Sequence, residues 1–498
     1  MKINIIKAGI LLITFCSCEA EFLDVMPETE VVFDNYFESE GDFDQAVTGV
    51  YAPLQDIYEQ DWILTEMRSD NTYFTFDGAN RGSKPIEDFA TFIVENNNGN
   101  LENKWSENYI VIARANQILN TIDDVDFDQT VKDNLKGQTH FLRAFAYFDL
   151  VKNFGAVPLF LKPVPSYDET FKPQSSVSEI YDQIISDANA AADLLPTKAD
   201  QDIGRATSGA AYTLLGDIFR TLELWTEAEA VLTSVTTMGY SLLPDYADIF
   251  KPSNENNNER IFEIEFLAGT SHSLQSSFLY SFLPVLSDPS VITGVSPASI
   301  NNNGSFNVPT PDLIKAYEDP IKDERFAASI GFYSGPSPLV GVTYDQMPYI
   351  KKYLHPHARY NETDQNWPVY RYAEVLLTLA ESLNEQGKSS EALPYLNQVR
   401  NRAGLDDTAI LNQSELRDII LHERRIELAF ENKRWNDLVR ADIAVEVMND
   451  FGAKVKADPE AYYYAPGNTP PSNSFELTAD KLTYPIPISE SRVNPEID

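Results

Sequence analysis

The stretch "AYTLLGDIFRTLELWTEAEAVLTSV", residues 211–235, can be laid on "VLLTLAESLNEQGKSSEALPYLNQV", residues 375–399, at a constant offset of 164. Leu215 then meets Leu379, Gly216 meets Ala380, Asp217 meets Glu381, Glu227-Ala228 meets Glu391-Ala392, and Leu232 meets Leu396. Matches at one fixed spacing mark an internal repeat, which bears on the whole architecture.

Each copy has small residues where two helices would cross, large apolar residues on the flanks, and a short polar turn between. That is the pattern of a tetratricopeptide unit. The segments around 105–155 and 415–450 can supply two more, so about four helix pairs would stack into one superhelical core. Generic antiparallel helix pairs are the alternative. Further upstream, "ESEGDFDQAVTGVYAPLQDIY" places Phe43, Ala46, Val47, Val50, Tyr51 and Leu54 on one helical stripe. No alternation of strands and helices appears, so the fold class is all-α rather than a doubly wound sheet. Segments 62–100, 251–310 and 331–368 lose this periodicity. They are rich in Asn, Gly, Ser, Pro and aromatics, with turn-forming clusters such as "ENNNGN" and "NNNG". A loop-rich region of this kind, held on a rigid helical frame, is where a binding surface is expected.

At 498 residues the chain exceeds the size at which a single core usually stops growing, so two packed parts are expected, 35–253 and 254–498. With 43% hydrophobic residues and 12% aromatics it can bury a large core in spite of a net charge of −38. That charge repels phosphate backbones and anionic membranes, and no basic run offsets it, so nucleic acid is excluded as a partner.

The amino terminus, "MKINIIKAGILLITFCSC", carries Lys2 and Lys7, an apolar stretch from Ala8 to Phe15, and small Ser17 just before Cys18. It has the form of a signal peptide and is too short to span a bilayer. The segment resembles a bacterial lipobox, which implies cleavage after residue 17 and lipidation of Cys18, although Phe15 departs from the usual Leu and Cys16 is a rival. An ordinary secretory signal is the alternative. Residues 18–34 then read as an acidic, Pro-containing tether. The chain has two cysteines, Cys16 and Cys18, and cleavage after residue 17 would leave one, which suits an anchor better than a redox or zinc role.

The block "HERRIELAFENKRWNDLVR", His422 to Arg440, is dense in charge. Ile419, Glu423, Ile426 and Phe430 fall on one helical line, and Glu427 and Glu431 follow Glu423 at steps of four. Two stacked carboxylates could serve as acid and base for glycoside hydrolysis. Five basic residues stand against four acids, however, in a chain that is otherwise strongly acidic. We therefore expect a structural ion network comprising Glu423, Arg424, Arg425, Glu427, Glu431 and Arg434. "HERR" lacks the second His of a zinc-protease helix, and "HPH" at 355–357 reads as a loop pair. No phosphate-binding loop or nucleophile elbow occurs. No catalytic residue, metal or cofactor is expected.

The same block, with "RYAEVLLTLAESLNE", "YLNQVRNRAGL" and "KLTYPIPISESRVNP", resembles the SusD/RagB family of outer-membrane nutrient-binding lipoproteins. So do "FLRAFAYFDLVKNFGAVPL", "EFLDVMP" and the lipobox. The resemblance spans nearly the whole chain. It implies a helical frame of four tetratricopeptide-like units beside a variable loop region, displayed outside the cell on a lipid anchor. It also implies a SusC-like TonB-dependent transporter as partner and an oligosaccharide or, in some members, a peptide as cargo. In that setting the charged block is scaffold, as are Trp367 and Trp435.

A glycan site needs flat aromatic faces plus planar amides, carboxylates and guanidinium groups. The stretch "DWILTEMRSDNTYFTFDGANRG" offers Trp62, Asp70, Asn71, Tyr73, Phe74, Asn80 and Arg81, in a loop where members of that family often place ligand contacts. "SHSLQSSFLYSF" adds His272 and Tyr280, and "GVTYDQMPYI" adds Tyr344. The competing expectation is that such rings pack the loops. The bulk acidity favours a neutral glycan over a polyanion.

Overall fold

A computed structural model describes residues 37–76, 83–269, 271–297, 304–338 and 342–497. The repeat is visible in it as two helical hairpins. Ser208–Thr221 and Trp225–Val235 form the first, and Tyr372–Glu385 and Ser389–Arg402 the second. Both helices of the second hairpin begin 164 residues after their counterparts, at 372 against 208 and at 389 against 225. The connecting turns share a left-handed residue at the same place, Glu223 (φ 57°) in one and Gly387 (φ 76°) in the other.

The small residues at the crossings have a steric purpose. A Cβ built on Gly216 would lie 2.3 Å from Leu232 Cδ2, so the helices approach as closely as a glycine permits. In the second hairpin Ala380 and Leu396 fill the equivalent places, and both are fully buried.

The frame continues in both directions. Gly99–Thr121 packs on Gln129–Phe154, which packs on Val177–Leu194, which leads to the first hairpin. Helix Tyr372–Glu385 lies against Trp225–Val235 on one side and Gln413–Glu427 on the other, so the two halves of the chain form one stack. Local sequence secures the helix starts. Asp128 accepts hydrogen bonds from the backbone of Thr130 and Val131, and Ser176 and Glu179 form a reciprocal capping box. Each such cap contributes about 1 kcal/mol.

The segments without helical periodicity carry three two-stranded antiparallel sheets among the described residues. Thr72–Tyr73 pairs with Val308–Pro309, Arg260–Ile264 with Trp367–Arg371, and Ile330–Pro336 with Thr343–Ile350. Strand Trp367–Arg371 is buried along its whole length and runs directly into helix Tyr372–Glu385. One hydrophobic cluster extends from Phe43 to Tyr484 and includes Phe250 and Ile261, so it continues across residue 253.

Candidate functional site

The charged block occupies the end of helix Gln413–Glu427, the turn in which Phe430 (φ 69°) and Asn432 (φ 63°) have left-handed backbone, and helix Arg434–Arg440. Glu423, Arg424, Glu427 and Glu431 are buried. Arg371 reaches Glu259 at 2.7 Å, Glu427 at 3.0 Å and Glu431 at 2.7 Å. Arg325 contacts Glu423 and Glu427, and Arg402 contacts Glu259 and Glu427. Lys352 lies 2.7 Å from Glu431, and Arg424 joins Asp437 to Glu374. Burial by itself would raise the carboxyl of Glu427, but Arg402, Arg371 and Arg325 hold it down to about 2. Burial likewise opposes ionisation of Glu431, and Arg371 and Lys352 override it. A carboxylate locked in this way cannot take up and release a proton near neutral pH, so Glu427 and Glu431 are unsuited to acid–base work.

Two of the residues singled out as ligand contacts belong to this network instead. Asp70 is gripped by Arg434 Nε at 2.8 Å and by Arg425 Nη2 at 2.9 Å. Asn71 accepts from Arg425 Nε at 2.8 Å and donates to Glu66 Oε1 at 3.1 Å. Their polar atoms are occupied by the protein, which corrects the expectation that they face a sugar.

The aromatic candidates need the same correction, because packing closes their ring faces. Tyr73 is fully buried, its hydroxyl 2.9 Å from that of Tyr464 and its ring 4.4 Å from Phe74, itself buried. Trp62 donates its Nε1–H to the Glu59 carbonyl and meets Phe282 edge-on at 5.3 Å. Tyr344 packs with Leu286, Val308 and Met347 in a small core beneath the hairpin of residues 330–350. Tyr280 is buried, its hydroxyl 2.5 Å from His357 Nε2 and its ring 4.4 Å from Tyr360. Among the candidates in the described residues, His272 is exposed. Asn80, Arg81 and Cys18, with residues 1–34, lie outside the described residues.

The structure brings together a surface that these candidates only border. The loops that contain Ser276 and Thr363 are zipped by reciprocal backbone hydrogen bonds of 3.0 Å, and Ala268 N donates to Asp364 Oδ1. On the outer side of that seam stand His357, Arg359, Tyr360, Asn361 and Glu362, with Tyr280 as the floor beneath Tyr360 and His357. The Arg359 side chain is 68% exposed and pairs loosely with Glu362 at 3.4 Å, so its guanidinium is open to a ligand. The run "HPHARYNE" at 355–362 signals this group in sequence, since it gathers His, Arg, aromatic and amide side chains in a turn-rich segment. Such a set can stack against the apolar side of a pyranose and bond its hydroxyls. Among the described residues no group of His, Cys, Asp and Glu is arranged to hold a metal ion, and no helix is long and apolar enough to cross a membrane.

A stack of tetratricopeptide-like hairpins carrying an irregular, polar and aromatic loop layer defines a helical-repeat recognition protein. The chain belongs to the SusD family: the SusD family proper matches residues 340–498, and its counterpart described as starch-binding and associating with the outer membrane matches residues 21–219. A SusD-like protein of Formosa agariphila is 28% identical over 544 residues, covering 99% of this chain and 98% of its own. A laminarin-binding SusD-like protein of known structure is 25% identical, with a TM-score of 0.76 over 93% of this chain and 99% of its own. Surface glycan-binding protein A from Bacteroides thetaiotaomicron shares the fold, with 22% identity and a TM-score of 0.73 over 92% of this chain and 98% of its own.

Proposed function

We propose that this protein is a cell-surface glycan-binding lipoprotein that captures an oligosaccharide and passes it, chemically unchanged, to a TonB-dependent transporter of the outer membrane. The observation that carries this is the near full-length match, in sequence and in fold, to a laminarin-binding relative. Cys18 supplies the lipid anchor, and residues 18–34 are the tether between membrane and frame. The loops around 271–276 and 355–363 form the capture surface, with Tyr360 stacking on a sugar ring and Arg359, Asn361 and His272 bonding hydroxyls. A net charge of −38 favours a neutral glycan. The Arg-locked carboxylates at 423 and 427 support a non-catalytic role.

Calorimetric titration of the detergent-solubilised full chain with laminarin-derived, starch-derived and sulfated oligosaccharides and with a peptide mixture, followed by product analysis, tests this. Saturable heat from a neutral glycan recovered intact is the expected result. Heat from peptides alone would move the protein to peptide capture, and cleaved product would overturn the non-catalytic reading.

A further inference from the structure

A cavity of about 280 Å³ lies where the helical stack meets strand Trp367–Arg371 and helix Arg434–Arg440, and its lining shares no residue with the loop surface described above. By volume it could hold roughly nine water molecules. It is not closed: Lys152, Thr221, Asn436 and Arg440, at its edge, are all partly exposed.

Its walls combine aromatic rings with balanced charge. Tyr58, Phe145, Tyr181, Trp367 and Tyr370 supply flat surface. The carboxylates are those of Asp61, Asp149, Asp217 and Glu431. The cations are Lys152, Arg220, Lys433 and Arg440, equal in number, so the lining as a whole exerts no net pull on an ion.

Several of these polar groups are not fully used by the protein. Asp61 and Asp149 share Lys104, Arg220 bridges Asp217 to Asp437, and Lys433 is bonded to Glu374 and the Val369 carbonyl. Lys152 differs: among the described residues its ammonium has no ion-pair or hydrogen-bond partner and rests 4.0 Å over the ring of Phe148. Burial pushes its pKa down, although Asp217 and Asp149 pull the other way. Four further wall residues carry buried polar atoms without a hydrogen-bond partner: Trp367 Nε1, Asn432 Oδ1, Arg220 Nε and Arg440 Nε. Buried groups left unpaired call for an occupant that can donate and accept.

We propose that this cavity is a second saccharide site, which takes one neutral hexose-sized ring independently of the loop surface. Unpaired donors and acceptors, aromatic walls and cancelling charge are together the requirements of a polyol, whereas an anion or a cation would have to choose one half of the lining. Lys152 and Asn436 bond hydroxyls at the mouth, and Tyr58 and Tyr181 flank the ring.

The test uses the detergent-solubilised full chain with 15N-labelled tryptophan, titrated with D-glucose, D-galactose and D-glucuronate. The Trp367 indole resonance is assigned by its absence in Trp367→Phe. The expected result is a saturable shift of that resonance by a neutral hexose, with a Kd on the order of 1 mM. Asn436→Trp, which fills the mouth, abolishes the shift, and Lys152→Met weakens it about tenfold. An indole unmoved at about 100 mM neutral hexose, or a shift that persists in folded Asn436→Trp, overturns the site and leaves a water-filled cavity. A shift produced by glucuronate alone overturns the neutral assignment. Calorimetric heat from oligosaccharides reports the loop surface and the indole reports the cavity, so the two readings fail separately.

Discussion

Replacing Glu427 with Gln keeps the shape of the side chain and removes one charge from the centre of the ion network. Three guanidinium groups depend on that charge, those of Arg325, Arg371 and Arg402. All three are buried, and none can turn to solvent for compensation. Removing one partner of a buried pair typically costs about 3–5 kcal/mol. Proton linkage offers a second route to the magnitude. A carboxyl held at about 2 rather than its ordinary 4.5 represents about 3 kcal/mol of stabilisation in the ionised state. Because the folded value lies below the unfolded one, this contribution is complete above pH 4.5 and disappears as the pH falls toward 2. Urea unfolding followed by tryptophan fluorescence at pH 7 and at pH 3 measures both quantities. Glu427→Gln should be destabilised by about 3 kcal/mol at pH 7 and should lose less than the wild type between the two pH values. A cost below about 1 kcal/mol at pH 7, or a pH dependence equal to that of the wild type, would refute the claim that this carboxylate holds the frame together.

Glu223→Gly should stabilise the protein by about 0.5–1 kcal/mol, because it relieves a left-handed glutamate at the place where the second hairpin has Gly387; a lowered melting temperature would contradict this. Gly216→Val should cost about 1–3 kcal/mol in urea unfolding by driving a side chain into Leu232, and Leu232→Ala in the same molecule should recover part of that loss. Tyr360→Ala or Arg359→Ala should weaken oligosaccharide binding about tenfold in calorimetry, whereas Tyr73→Phe, deep in the core, should leave affinity unchanged. Cys18→Ala should shift the protein from the membrane to the soluble fraction on centrifugation.

The helical frame was legible in the sequence because a hairpin crossing imposes a local demand. Gly216 and Ala380 must be small, and their large partners follow at a fixed distance. The loop layer was not legible, since an aromatic side chain in a turn-rich segment can face solvent or a second layer of protein with equal local logic. Tyr73 and Phe74 are both buried because helices and loops close over them from either side. Asp70 and Asn71 were misplaced for a different reason: their partner Arg425 lies more than 350 residues further along the chain, beyond any pattern that spacing can reveal. Arg325 and Arg371, the centres of the network, stand outside the charged block, and only the fold brings them to it.

The interleaving of the two hairpins also bears on the order in which the molecule can assemble. Helix Tyr372–Glu385 is the wedge between the first hairpin and the charged helix, and Arg371 just before it ties Glu259 to Glu431. Until that segment is available, the side of Trp225–Val235 turned away from Ser208–Thr221 is left uncovered, and Glu259 has no guanidinium to justify its burial. Contacts separated by so much chain form late and slowly. The first half can therefore complete its packing only after residues 371–385 have been made.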